Sequence, residues 1–473
     1  MRELNELLEI KKAFEANPGI TDVAELFDGP ALSMQYIDGT MSSIVASDVD
    51  FAFLNKLPKR SVDQTIAEYN KMKSHGDSPY RTSFVGQSED PHFADAYLKR
   101  KFDEMAYLSE GFTYNRVIAR TRNTNDPEMV SSTSAMRRML TSLSRGLWNG
   151  DRDALSVEMD GIVKKVSSLG SDFVYDCRGQ LPGADVIQHF AAQIRSRYFG
   201  LANEFHMAVG SKNLFDQADL GDKQYIFLDG QNAGAGLYAS RVVEGQKASF
   251  ALNNKIQYVP DLWIDESNFG VPMDYDRSTD SVVEKAVGEA PPDTPALAVA
   301  AQAPSVPGSK WEAGDVGTVA YRVAAVGPKG ASQATTSQSA TVAANGAVEL
   351  TITPAAGGNF AEAFLIFRET APGNGDFRKI ARVKRATSGD TTFVDVNETI
   401  PGTSVGVLGD FNSRSTSDET RTMVLSELMS PLKTTFPPGV GGLRLNVGMV
   451  EYFTTIQLFA EEKFVVFKNM PVI

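Results

Sequence analysis

The sequence is 473 residues long, with 42% hydrophobic and 22% charged side chains, a globular composition that excludes wholesale disorder. It holds 59 acidic against 46 basic residues, a net charge of -13, whereas a surface that grips nucleic-acid phosphates broadly shows the opposite balance. Its one cysteine, Cys177, excludes an intramolecular disulfide framework and any multi-cysteine metal site.

Length alone suggests about three domains. The first residues, MRELNELLEIKK, put acids where a signal peptide needs a basic end and an apolar run. No stretch approaches the ~18 apolar residues of a membrane span. A soluble protein made in the cytoplasm, with no membrane partner, is therefore expected. Residues 1–73 read as an N-terminal arm: an amphipathic helix with Leu4, Leu7, Leu8 and Lys11 in register, then irregular text ending in NKLPKRSVDQTIAEY. Residues 74–122 read as a long two-stranded excursion, with arms SPYRTSFVG and EGFTYNRVIART around a polar tip. A helix then starts cleanly. Asp126 suits the N-cap, Pro127 the first helical position, and Glu128 the positive end of the dipole. Met136, Met139, Leu140, Leu143 and Leu147 follow at helical spacing until Gly150. A second helix is predicted over 185–199, with Ile187, Phe190, Ala191, Ile194 and Tyr198 on one face and Gly200 as its cap.

Composition shifts near residue 290. The Pro- and Ala-rich run EAPPDTPALAVAAQAPSVPGSK, 289–310, reads as an extended linker or a first edge strand. Five alternating segments follow: TVAYRVAAV, AVELTITP, EAFLIFRE, FRKIARVKR and TTFVDV. The turn sequences GPKG, ANGA, AAGG and PGNG lie between them. This predicts a small antiparallel β-sandwich over 291–404. That span carries 9 basic and 10 acidic residues, so nearly all of the acidity lies elsewhere. Residues 405–473 return to alternating strands, so the strand-and-helix text of 123–290 is completed only after the sandwich. The sandwich therefore reads as an insertion.

Chemistry is sparse. The histidines, His75, His92, His189 and His206, show no H-E-x-x-H spacing, and His189 falls off the apolar stripe of its helix. Gly234, Gly236 and Ala239 match G-x-G-x-x-A, but strand and turn text follows where a dinucleotide site needs a helix. No phosphate-binding P-loop and no G-x-S-x-G elbow occur. Cys177 reads as a small buried hydrophobe, and Asp261, Asp265 and Glu266 as solvated acids. In FRKIARVKR the cations Arg378, Lys379, Arg382, Lys384 and Arg385 read as a solvated sandwich face, the alternative being an exposed patch for an acidic partner or polyanionic glycan. No catalytic, cofactor-binding or metal residue is nominated, and no cofactor or enzymatic activity is expected. A long arm, a long hairpin and a protruding module point instead to assembly.

The order of segments resembles the major capsid proteins of tailed bacteriophages, with the Hong Kong 97 type of fold. NKLPKRSVDQTIAEYNKM looks like the end of that family's arm leading into its extended loop. SRGLWNGDRDALSVEMDGIVKKV resembles the stretch after its spine helix, with Met159-Asp160-Gly161-Ile162 where an aromatic residue is common. DCRGQLPGADVIQHFAAQIRSRYFG is similar to its turn and following helix, and YVPDLWIDESNF and GMVEYFTTIQLFAEEKFVVFKNM to its closing strands. AYRVAAVGPKGAS and IFRETAPGNGDFRKIARV resemble immunoglobulin-like or fibronectin type III-like modules.

The resemblance implies an α+β fold with an extended loop at 74–122, a peripheral and axial core split into 123–290 and 405–473, and an all-β insertion at 291–404. It implies pentamers and hexamers of the chain tiling an icosahedral virion shell, assembled in the host cytoplasm. Portal, scaffold and cement or decoration proteins would be the partners, with packaged DNA held without reading its sequence. A tail-tube, tail-fibre or adhesin protein bearing the same module, and a glycan-active enzyme with an accessory β-module, are the rival readings.

Overall fold

A computed structural model describes residues 51–74, 76, 83–87, 90–120, 126–198, 200–227, 246–249, 254–267, 269–276, 278–411, 421–436 and 445–472. The helix expected around Leu4 to Lys11, His75 and the glycine-rich segment around Gly234 lie outside them.

The described residues begin with α1 (Ala52–Lys56) and β1 (Lys59–Ser61). β2 (Ile66–Ser74) and β3 (Tyr97–Glu104) form an antiparallel hairpin, paired from Ile66 opposite Glu104 to Ser74 opposite Tyr97. β4 (Ala106–Asn115) and the short α2 (Arg116–Arg120) follow. The two-stranded excursion therefore exists, but its arms are not the expected ones. Residues 83–86 of SPYRTSFVG carry no strand, and EGFTYNRVIART divides between β4 and α2. The true arms were disguised because β2 turns Tyr69, Lys71 and Lys73 inward and leaves Ile66 and Met72 exposed, the reverse of the usual alternation.

α3 (Pro127–Asn149) begins as its cap predicts, with the Glu128 N–H donating to Asp126 Oδ1 at 3.1 Å. It buries Ala135, Met139, Leu143 and Leu147. At its end the Gly161 N–H donates to the Gly150 carbonyl at 3.0 Å. A Cβ on Gly161 would lie 2.7 Å from the Gly150 nitrogen, so only glycine allows these two backbones to touch. Next come α4 (Ile162–Ser167), β5 (Val174–Asp176), α5 (Ala184–Tyr198), β6 (Glu204–Met207), α6 (Val209–Phe227), β7 (Gln246–Ser249) and β8 (Asn254–Pro260). A ribbon of β9 (Met273–Asp276) and β10 (Ser281–Glu284) leads to β11 (Val287–Gly288).

The sandwich strands are β12 (Ala296–Gln302), β13 (Gly317–Gly327), β14 (Gly330–Ala331), β15 (Gln338–Val342), β16 (Ala347–Thr353), β17 (Ala363–Glu369), β18 (Phe377–Lys384) and β19 (Thr391–Asp395). β20 (Ser404–Gly409), β21 (Met423–Thr435), β22 (Leu445–Leu458) and β23 (Phe464–Met470) close the chain. One sandwich sheet runs β11-β14-β13-β17-β18, with β15 also on β13, and the other runs β12-β16-β19. Between them lie Trp311, Tyr321, Val323, Leu350, Ile352, Phe364 and Ile366. Part of the 289–310 run is thus the edge strand β12. Strand β15 has no apolar alternation to announce it, because of its residues only Val342 is buried.

Six strands from both sides of this insertion make one sheet, ordered β5-β23-β20-β6-β8-β7. Its face packs Phe205, Tyr258, Leu408, Val465 and Phe467 against Ile187, Ala191 and Ile194 of α5. Neither half of the chain completes this core alone, so the fold is α+β with a split core, as read from the sequence. A four-stranded sheet runs β1-β21-β22-β4, with β1 parallel to β21.

The chain forms two compact units. The elements above belong mainly to the larger, which takes in 46–110, 135–434 and 449–473. Within the smaller, the Tyr114 hydroxyl donates to Glu128 at 2.7 Å and the Phe436 N–H to the Val447 carbonyl at 2.9 Å.

Candidate assembly surfaces

Of the residues weighed for chemistry, His206 and Asp261 meet at Trp148, whose ring lies 5.3 Å from that of His206 and whose Nε1 donates to Asp261. His92 and His189 are exposed. His206 is buried with Nε2 2.9 Å from Glu204. Burial pushes the Cys177 thiol up to about 12, with the Asp176 charge adding to the effect, so it stays protonated and inert. Asp261 is not a solvated acid as expected. It is buried, accepts from Trp148 Nε1 at 3.1 Å and from the Trp263 N–H at 2.8 Å, and burial raises its pKa. Among the described residues no group of three His, Cys, Asp or Glu side chains is placed to hold a metal ion. No described helix is long and apolar enough to cross a membrane.

What the structure does build are surfaces. The β2–β3 hairpin has an ionic inner face. Lys71, 8% exposed, donates to Glu462 and lies 3.6 Å from Glu461. Lys73 donates to Glu462 at 2.8 Å, Lys101 pairs with Glu461, and Lys165 reaches Asp103 at 2.6 Å. The Tyr69 hydroxyl donates to the Leu458 carbonyl at 3.0 Å. These contacts seat the paired strands of the hairpin on the turn between β22 and β23. The outer face mixes apolar and charged side chains: Ile66, Met72, Leu98 and Phe102 are 40%, 48%, 56% and 64% exposed, beside the Arg100–Glu68 ion pair at 3.3 Å. Met72 stands opposite Leu98 and Glu68 opposite Phe102, so all four side chains share one face.

The ionic base carries a pH dependence. Burial would raise the Glu462 carboxyl, but the Lys71 and Lys73 ammonium groups outweigh it and hold the pKa at about 2. A depressed carboxyl pKa gives stability that is present above the unfolded value of 4.5 and is lost as pH falls toward about 2. Thermal melts at pH 5 and pH 3 should therefore differ more for the wild type than for Glu462→Gln. Equal differences would remove Glu462 from the acid response.

The short segment around α1 is anchored by aromatic rings that give no periodic signal in the sequence. Phe53 stacks on Trp148 at 4.4 Å, with His206 at 5.1 Å and Phe411 at 6.2 Å edge-on, while Phe51 stacks on Trp263 at 5.4 Å. Lys56 adds a 2.8 Å ion pair to Glu204. The available signal was the run Phe51-Ala52-Phe53-Leu54, too short to show a period.

The sandwich is docked as well as covalently linked. Arg382 pairs with Glu158 at 2.5 Å, Lys379 pairs with Glu266, and the Lys379 N–H donates to the Phe269 carbonyl at 2.8 Å. Ser156 donates its N–H to Glu362 at 2.8 Å, and Lys310 meets Asp176 at 2.6 Å. Arg178 donates to the Asn397 carbonyl at 3.0 Å and the Lys310 carbonyl at 2.8 Å. Both readings of the basic strand are thus corrected: Lys379 and Arg382 are neither a solvated face nor a free patch but half of an intramolecular contact. A bulge makes this possible. Ile366 pairs with Ala381 and Phe367 with Lys379, so Ile380 is an extra residue. Ile380, Ala381 and Val383 then all pack on the sandwich core, and Lys379 and Arg382 share the outer face. Glu158→Gln with Glu266→Gln should cost about 1 kcal/mol per pair and raise amide hydrogen exchange along β18. Unchanged protection there would show that the ion pairs do not hold the sandwich.

No protein-family model matches the sequence. Among curated proteins it is similar to the "Putative major capsid protein" of Enterococcus phage phiEF24C, at 23% identity over 236 residues. The likeness is to a phage capsid protein. It covers 48% of this chain, and the chain spans about half (50%) of that relative's length. Among solved structures, the capsid of a native GTA particle covers 95% of this chain and 100% of its own at 8% identity, TM-score 0.46. The capsid of cyanophage P-SCSP1u covers 96% and 97% at 8% identity, TM-score 0.44. Gordonia phage Cozz covers 96% and 96% at 6% identity, TM-score 0.41.

Proposed function

We propose that this chain is a major capsid protein of a tailed phage, with a Hong Kong 97-type fold, that assembles into pentamers and hexamers of an icosahedral shell around double-stranded DNA. The observation that carries the reading is the hairpin. A lone globule gains nothing from a two-stranded hairpin that turns lysines inward and leaves Ile66, Met72, Leu98 and Phe102 in water. A subunit that lays the hairpin across its neighbour buries that face. The sequence likeness to a phage capsid protein supports the same reading. The segments are then an arm over 1–73, an extended loop over 74–122, a peripheral and axial core over 123–290 and 405–473, and an immunoglobulin-like insertion over 291–404. The chain acts structurally and not as an enzyme, is part of the virion, and forms in the host cytoplasm. Portal, scaffold and cement proteins are its partners there, and the acidic chain encloses DNA without sequence-specific grip.

Expression alone and with the neighbouring phage genes, followed by negative-stain microscopy, tests this. Closed shells are expected. Rods or fibres would replace the reading with a tail or adhesin role, and monomers with hydrolytic activity would replace it with an enzyme.

A further inference from the structure

A cleft of about 380 Å³ lies between α3, the turn that follows it and the docked sandwich. That volume falls in the ~300–1,000 Å³ range of small-molecule sites. α3 supplies Ser142, Arg145 and Asn149, a stripe at helical spacing beside the one it buries in the core. Leu155, Met159 and Leu365 give the cleft apolar walls. The charged groups of the lining are Arg145, Lys379 and Arg382 against Glu158 and Glu266, so positive charge exceeds negative by one. Lys379 pairs with Glu266 and Arg382 with Glu158, which puts the excess on Arg145. Its guanidinium lies over the Phe269 ring, 4.9 Å from the centre, and 5.6 Å from the centre of the Trp263 ring. Among the described residues no carboxylate forms an ion pair with it.

This charge balance selects a ligand. An anion on Arg145 displaces no existing ion pair, and the planar guanidinium matches a carboxylate. One negative charge cancels the excess, whereas a second would face Glu158 and Glu266 with nothing left to offset it. The apolar walls suit hydrocarbon for the rest of the ligand. We infer that the cleft binds a straight-chain monocarboxylate, with its carboxylate on Arg145 and its chain against Leu155, Met159 and Leu365. The site lies within one chain and does not depend on the shell reading. It exists only while the sandwich is docked, because Leu365, Lys379 and Arg382 form one of its walls. A bound chain therefore ties the sandwich to the core, and attachment of the insertion responds to a small amphiphile.

The test titrates the full-length chain with decanoate, below the concentration at which decanoate forms micelles. Calorimetry should show saturable binding of one decanoate per chain. 1-Decanol, which lacks the charge, should bind about tenfold more weakly, the scale of one lost charge contact. Decyl phosphate, with its second negative charge, should also bind more weakly than decanoate. Saturation with decanoate should slow amide hydrogen exchange along β18. Arg145→Gln should lower decanoate affinity to that of decanol and leave decanol binding unchanged. Absence of saturable binding, equal affinity for decanoate and decanol, or unchanged exchange along β18 at saturation would overturn the site. Tighter binding of decyl phosphate would overturn the monocarboxylate class. The comparison of ligands uses the unmodified chain, so it decides the matter even if Arg145→Gln fails to fold.

Discussion

Replacing Leu98 and Phe102 with aspartate should leave a folded chain that no longer assembles. Both side chains are more than half exposed, so the isolated chain loses little packing when they change. In a shell the same positions would place two unpaired carboxylates in an interface that excludes water, which costs about 3–5 kcal/mol for each buried charge. At ~1.4 kcal/mol per decade, 3 kcal/mol already weakens one contact by more than a hundredfold, and a closed shell repeats that contact in every subunit. Sedimentation should show free subunits in place of shells, while the thermal unfolding of the subunit stays within about 0.5 kcal/mol of wild type. Shells of normal yield would mean that the outer face of the hairpin is not an interface.

Arg368→Ala should be the most damaging single change within the sandwich, at about 3–5 kcal/mol. Arg368 and Asp395 are both nearly sealed from solvent and meet at 2.6 Å. The Tyr321 hydroxyl donates to the same Asp395 carboxylate at 2.8 Å. The other guanidinium nitrogen donates to Asn397 Oδ1 at 2.8 Å, and the group lies 4.8 Å from the centre of the Trp311 ring. Removing the arginine strands a buried carboxylate. Burial and that carboxylate push the Tyr321 hydroxyl pKa up, so it stays protonated and its one hydrogen bond is the neutral partner left to the carboxylate. Arg368→Met with Asp395→Leu removes both charges and should cost much less, since neither is left unpaired. Denaturant unfolding of the two variants separates the cases. A loss below about 1 kcal/mol for Arg368→Ala would make the pair a bystander.

The legible parts of the sequence were those where one physical signal acts alone. α3 announced itself through Asp126, Pro127 and a clean apolar stripe, and five sandwich strands through alternation between turn residues. The split core was visible because the strands resume after the insertion. The hairpin arms were misplaced because ion pairs with Glu461 and Glu462, nearly four hundred residues away, decide which face of β2 is buried. Asp261 was read as solvated because its partners, Trp148 and Trp263, come from other parts of the chain or from backbone geometry.

The bulge at Ile380 has a consequence for how such a subunit changes over generations. With this residue present, Lys379 and Arg382 both face the core body, and Ala381 and Val383 face the sandwich interior. Removing Ile380 would restore a regular ladder in which Lys379 still faces out opposite Phe367 and Ala381 still faces in opposite Ile366, so Arg382 and Val383 keep their sides. The bulge therefore absorbs one inserted or deleted residue without turning the strand over. A lineage could lengthen or shorten this strand by one codon and keep the attachment of the sandwich.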